Sequence, residues 1–228
     1  MKKPLMKKFD DSWLIAFGKV NLEQKLAAVA VDIKASRVGN TLLPPVKSGL
    51  MFNAFDETPL DQVKVVILAQ DPYPTPGDFN GLAFGNGTED EPATKLSPSL
   101  RKVVKEVEAN FSGKVDTSLY SWARQGVLLI NTAHTVIAKE AGSHLDIWES
   151  FTHMILRSIN TKSNVVWMLW GAKAQAFERE ILNDTHYVIR AGHPSPLNRT
   201  NPFSGACFVE CNKTLKAMGL TPIKWTNP

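Results

Sequence analysis

The chain has 228 residues, of which 43% are hydrophobic and 21% charged, a balance that excludes disorder and suits one globular domain, 1–228. At that length folding buries roughly 70–75% of the unfolded chain's surface, so neither a disulfide nor a structural metal is needed to hold a core. The formal net charge of +4 permits a polyanionic partner without demanding one.

The first twenty residues read as an irregular basic arm with Lys2, Lys3, Lys7 and Lys8. Phe9-Asp10-Asp11 falls where an export signal would carry its apolar stretch, which points to a cytoplasmic protein. Leu22, Leu26, Val29 and Ile33 recur at three and four residues and predict a helix over 21–37, and 41–61, with three prolines, reads as loop. The β-branched run 63–69 is the first strand, and Ser97 before Pro98 caps a helix whose face is Leu100, Val103, Val107 and Phe111.

A second strand over 127–131 follows a helical turn ending at Gly126, and Asp146 with Glu149 is expected to open the next helix. A third strand (165–170), a helix (172–182), a fourth strand (187–190) and a helix over 206–218 closed by Gly219 complete the chain. Cys207 and Cys211, four apart on that helix, are poorly placed for a disulfide and read as free thiols. No apolar run approaches the roughly 18 residues of a membrane span. Strands too apolar to be wet on one face, alternating with helices, predict an α/β fold: a central four-stranded, twisted parallel sheet between two helical layers.

Ligands of open parallel sheets sit beyond the carboxyl ends of the strands. Gln70-Asp71-Pro72-Tyr73 follows the first strand, Asn131 ends the second, and Gly192-His193-Pro194-Ser195-Pro196-Leu197-Asn198 follows the fourth. A carboxylate, an amide and an imidazole thus converge on one edge, although each alone would be an ordinary turn or hydrogen-bonding residue. Proline density over 71–77 and 193–196 stiffens both loops, as a preorganised site requires. Ser97, Ser99 and Ser195 offer hydroxyls suited to phosphate oxygens. Neither the cysteines nor the five histidines show zinc spacing, so no metal or other cofactor is expected.

At these residues the sequence resembles the uracil-DNA glycosylases marked by a Gln-Asp-Pro-Tyr loop and a His-Pro-Ser-Pro-Leu loop. Gly81-Leu82-Ala83-Phe84, Pro98-Ser99-Leu100, the blocks at 121–132 and 165–175, and Thr221-Pro222-Ile223-Lys224-Trp225 are similar to the family in its order. The resemblance implies a metal-independent repair enzyme that flips uracil out of single- or double-stranded DNA and hydrolyses its glycosidic bond. By resemblance Asp71 and His193 are catalytic. Asn131 reads the base edge, Phe84 stacks on the ring, Tyr73 excludes thymine's methyl, and backbone groups around Gln70 contact the oxyanion. Ser99, Ser195, Asn198 and Pro74 lie on the DNA face, and Leu197 is the wedge that fills the vacated stack. One subunit suffices for such a contact, and a protein inhibitor or replication partner would dock on the same face.

The family's usual histidine after Pro-Tyr is Pro74 here, Ala69 replaces a glycine, and His134 stands where an aliphatic residue is usual. His134 is expected to pack at the surface or the pocket rim. Asn198 takes a serine's place. These departures keep open an alternative, a catalytically weak DNA-binding scaffold or processivity factor of the same fold. A nucleotide-cofactor enzyme on a similar sheet is weakened by the lack of Gly-x-Gly-x-x-Gly after the first strand.

Overall fold

A computed structural model describes residues 9–44, 49–74, 79–87, 93, 95–196, 198 and 201–227. In chain order it holds α1 (Asp11–Phe17), α2 (Lys19–Ser36), β1 (Leu42–Leu43), α3 (Asn53–Glu57), β2 (Val65–Ala69), α4 (Pro98–Glu108), α5 (Tyr120–Ala123) and β3 (Val127–Asn131). Then come β4 (Val136–Ile137), α6 (Leu145–Asn160), β5 (Val166–Trp170), α7 (Ala172–Gln175), β6 (Tyr187–Ala191) and α8 (Ala206–Ala217).

Four strands form a parallel sheet in the order β3-β2-β5-β6, with Ile67 of β2 level with Leu129 of β3 and Met168 of β5. Every residue of β3 and β5 is buried, as is β2 up to its last residue, so the sheet is covered on both faces and the expected α/β architecture holds. After β2 the chain moves out to β3 and then crosses back to β5. The switch point therefore lies between β2 and β5, where an open α/β sheet leaves its crevice. Helix α8 packs on β5 and β6, α3 and α5 on β3, and α1 and α2 against α6. All six tryptophans are buried in this core.

Several expectations are corrected. Residues 11–17 are not an irregular arm but α1, because the Asp10 carboxylate accepts from the Ser12 N–H and the α1 face buries Trp13 and Phe17. Residues 1–8 of the expected arm lie outside the described residues. The expected loop over 41–61 contains β1, a 3-10 turn over Leu50–Phe52 and α3, whose Phe55 is fully buried. Asp146 lies in the first turn of α6 but does not cap it: the helix begins at Leu145 behind His144, with no side-chain cap. The helix expected over 172–182 is one α-turn followed by a 3-10 stretch, Ala176–Glu180.

Other local signals were faithful. Ser97 accepts from the Leu100 N–H at 3.1 Å ahead of Pro98. Gly219, at φ 73°, follows α8 while the Leu220 N–H donates to the Leu215 carbonyl at 2.8 Å, a left-handed helix stop that glycine adopts without penalty. Cys207 and Cys211 are free and buried, and burial pushes both thiols well above the usual cysteine range. Among the described residues no helix is long and apolar enough to cross a membrane.

Candidate active site

Beyond the carboxyl ends of β2 and β3 the chains stay locked together. The Thr132 N–H donates to the Ala69 carbonyl at 2.9 Å, and the Ala133 N–H and Thr132 hydroxyl both donate to the Gln70 carbonyl at 2.8 Å. This rigid junction floors a cavity of about 150 Å³ lined by Gln70, Asp71, Tyr73, Phe84, Asn131 and His193, with Pro74 and Ser99 at its edge. Eight of the residues expected from sequence thus meet in one place.

Asn131 ends β3 buried, and its side-chain Oδ1 has no hydrogen-bond partner. A buried acceptor left bare costs about 1–3 kcal/mol, a cost that a ligand N–H would remove. Asp71 is held from the opposite side of the chain: the backbone N–H of Gly142 donates to its Oδ2. Gly142 belongs to a segment whose Lys139 N–H donates to the Pro74 carbonyl at 2.6 Å. Pro74, whatever its side chain lacks, fixes this segment through its backbone.

Tyr73 is clamped at its tip. Its hydroxyl donates to the Phe84 carbonyl at 2.9 Å and accepts from Ser97 Oγ at 2.7 Å; burial pushes the phenol up to about 12. The Ser97 hydroxyl is therefore spent on the helix cap and on Tyr73 rather than offered to a phosphate. Phe84 sits at φ 66°, a rare conformation for a side-chain-bearing residue, and its ring lies 5.2 Å from Trp170 and 6.1 Å from His193.

The turn holding Phe84 depends on Asn80, which sequence reasoning missed. The Asn80 amide donates to the Gly87 carbonyl at 2.9 Å and the Ser118 carbonyl at 2.7 Å, while its oxygen accepts from the Leu82 N–H. Gly81 is required beside it, because a Cβ there would lie 2.0 Å from the Leu50 carbonyl oxygen.

His193 accepts a hydrogen bond from the Ser195 N–H at Nδ1, 3.0 Å away. The neutral ring therefore carries its proton on Nε2. Burial, and after it the nearby Lys173 ammonium, lower the imidazole below its usual range and favour this neutral form. The Asn198 amide donates to the His193 carbonyl at 3.1 Å and to the Asn201 carbonyl at 2.5 Å, so both of its hydrogens close the loop on itself. Leu197 lies outside the described residues. Gly171, after β5, packs flat on His193: an added Cβ would meet the His193 Cβ at 2.8 Å.

His134 corrects an expectation. It is neither at the surface nor at the rim but buried among Trp148, Phe151, Phe52 and Phe55, with ring centroids 4.8 to 5.8 Å away. Nδ1–H donates to the Met51 carbonyl at 3.0 Å, Nε2 has no partner, and burial lowers the imidazole to about 4. The cage is built from α3, the preceding 3-10 turn and α6, which sequence spacing could not bring together.

Residues 55–216 match the family model of the uracil DNA glycosylase superfamily. The chain is 40% identical over 221 residues to the uracil-DNA glycosylase of Aeromonas hydrophila, covering 94% of this chain and 97% of that protein. It is 42% identical over 195 residues to that of Azotobacter vinelandii, covering 83% and 82%. The crystal structure of mimivirus uracil-DNA glycosylase superposes with a TM-score of 0.82 at 24% identity, over 99% of this chain and 90% of that one. With a matching core that contains the whole sheet and every residue lining the small cavity, the chain belongs to the uracil DNA glycosylase superfamily.

Proposed function

We propose that the protein excises uracil from DNA by hydrolysing the bond between the base and deoxyribose C1′, releasing free uracil and leaving an abasic site. The observation that carries this reading is the one cavity that Asp71, Asn131 and His193 line together, beside the hydrogen-bonded junction of β2 and β3.

The target base lies inside a stacked duplex, so it must be turned out of the helix to reach a cavity of about 150 Å³. The bare Asn131 Oδ1 accepts from uracil N3–H while its amide donates to O4, a pattern that cytosine cannot match. Phe84 covers one face of the ring. Tyr73, held at its hydroxyl by two bonds, closes the space beside C5, where thymine carries a methyl.

As the C1′–N1 bond breaks, its electron pair leaves with the base and positive charge gathers on the sugar. The Asp71 carboxylate faces that cation and takes the proton of the water that forms the new C1′–O bond. Nε2–H of neutral His193 donates to the oxygen on which the base collects negative charge. Ser99 and the Ser195 loop meet flanking phosphates, and Leu197 fills the gap in the stack.

A single continuous hydrophobic cluster from Phe9 to Trp225 supports reading 1–228 as one domain, and the DNA contact proposed here needs only one copy of it. The two free buried thiols suit a reducing cytoplasm. Mimivirus uracil-DNA glycosylase variants have been crystallised in complex with UGI. A protein inhibitor or a replication partner would occupy the same face here.

The test is release of free uracil from a single-uracil oligonucleotide in EDTA, with cytosine and thymine controls. Selective multiple-turnover release is expected. Tight binding of the oligonucleotide without base release would instead favour a scaffold role, the reading that Pro74 keeps in play.

A further inference from the structure

The loop that carries Asp71 leans on one segment, 138–144. The Gly142 N–H donates to Asp71 Oδ2, and the Lys139 N–H donates to the Pro74 carbonyl at 2.6 Å, so the segment supports both ends of 71–74. Gly142 stands at φ 85°, a left-handed conformation in which a side chain would be strained. Where its N–H points therefore depends on what holds the segment at its two ends.

The first end is held by backbone: the Ala138 N–H donates to the Thr41 carbonyl at 2.8 Å, beside the pairing of β1 with β4. The second end is held by a side chain. The buried His144 imidazole, just ahead of α6, meets Thr135 Oγ1 at 2.9 Å through Nδ1 and Ser36 Oγ at 2.7 Å through Nε2. A third bond sets their direction. The Trp148 indole N–H, which can only donate, gives its hydrogen to Thr135 Oγ1 at 2.8 Å. The fully buried Thr135 hydroxyl meets no other acceptor among the described residues. Its own hydrogen therefore goes to Nδ1, and Nε2–H donates to Ser36.

Thr135 follows closely on Thr132 and Ala133, whose N–H groups donate to the Ala69 and Gln70 carbonyls. Through Thr135 the ring is thus tied to the strand ends that carry Asp71, and through Ser36 to the end of α2.

We propose that His144 is a positioning residue for the cleavage reaction: by fixing the start of α6 it fixes the Gly142 N–H, and that N–H aims the Asp71 carboxylate. His144 touches no reacting atom in this scheme. Without its ring the segment is free to shift and the carboxylate shifts with it, and a displacement of about 1 Å at a reacting group can cost about 10²-fold in rate. The inference rests on the role given to Asp71 in the proposed function.

His144→Ala and His144→Asn are compared in single-turnover cleavage of a uracil oligonucleotide at saturating protein, in binding of an uncleavable oligonucleotide, and again in the Asp71→Asn background. His144→Ala is expected to slow cleavage about tenfold or more while binding stays unchanged. His144→Asn, whose Oδ1 takes the place of Nδ1 and accepts from Thr135, restores most of the rate. Beside Asp71→Asn the same His144→Ala change costs less than about twofold, because a residue that works through the carboxylate has little left to lose once that charge is gone. Should His144→Ala not fold, His144→Gln, which fills the space but gives up the Thr135 bond, takes its place.

Wild-type cleavage by the folded variant that lacks the Thr135 bond, a loss confined to binding, or a cost as large beside Asp71→Asn as alone overturns the proposal. Asp71→Asn by itself separates the two readings. If it cleaves like wild type, the assignment of Asp71 fails. If it is slow while the His144 variants are fast, only the role of His144 fails.

Discussion

The Tyr73 hydroxyl donates to the backbone carbonyl of Phe84 at 2.9 Å, tying together two residues that line the small cavity. Ser97 reinforces the pair from the start of α4. A wall tethered at its tip cannot swing aside for an extra methyl group, whereas an apolar pocket free to relax discriminates one methylene by only about 1–3 kcal/mol.

Tyr73→Ala is therefore expected to acquire release of thymine, and Tyr73→Phe, which keeps the ring but cuts both hydroxyl bonds, to admit thymine weakly while losing about 1 kcal/mol or more of stability. Base release from paired uracil and thymine oligonucleotides checks this. Unchanged discrimination in Tyr73→Ala would refute the steric account.

For Asp71→Asn, a fall of about 10²–10³ in cleavage rate is expected, as for removal of other preorganised electrostatic groups. The asparagine oxygen can still accept from the Gly142 N–H, so the fold and DNA affinity should survive. Single-turnover rates beside binding of an uncleavable oligonucleotide test the assignment, and wild-type turnover would sink it.

Gly171→Ala should injure the site from behind. Gly171 has φ 85°, and its new Cβ would stand 2.8 Å from the His193 Cβ, so the imidazole must shift or the β5–α7 turn must open. A stability loss of about 1 kcal/mol or more from the left-handed backbone should accompany a larger relative loss of cleavage than of binding. Equal rates for variant and wild type would show that the ring tolerates displacement.

His134 makes stability depend on pH. Its folded imidazole titrates at about 4 against an ordinary 6.5, so the unfolded chain binds the extra proton first and stability drops as pH falls through that window. From pH 7 to pH 5 the loss should be about 2 kcal/mol. Urea unfolding at the two pH values should show it in the wild type and a smaller change in His134→Leu, which removes both the proton site and the unpartnered Nε2. Identical pH slopes would mean that another group titrates.

The strands and their polar ends were legible because a strand covered on both faces must be apolar along its length, and 65–69, 127–131 and 166–170 obey that in any context. Gln70, Asp71, Asn131 and His193 could be placed at one edge for the same reason: parallel strands carry their carboxyl ends to a common side. Ser97 and Gly219 declared helix ends through local hydrogen bonds that need no tertiary partner. What the sequence could not declare depends on residues far apart in the chain. The His134 cage joins residue 134 to 52, 55, 148 and 151. Asn80 braces Phe84 by reaching Ser118. Gly142 grips Asp71 across 71 positions, and Gly171 fits His193 only because the crossover through α7 lays β5 beside β6. Periodicity is a property of a segment and its immediate environment. Such contacts are decided by how layers stack, so only the folded chain reveals them.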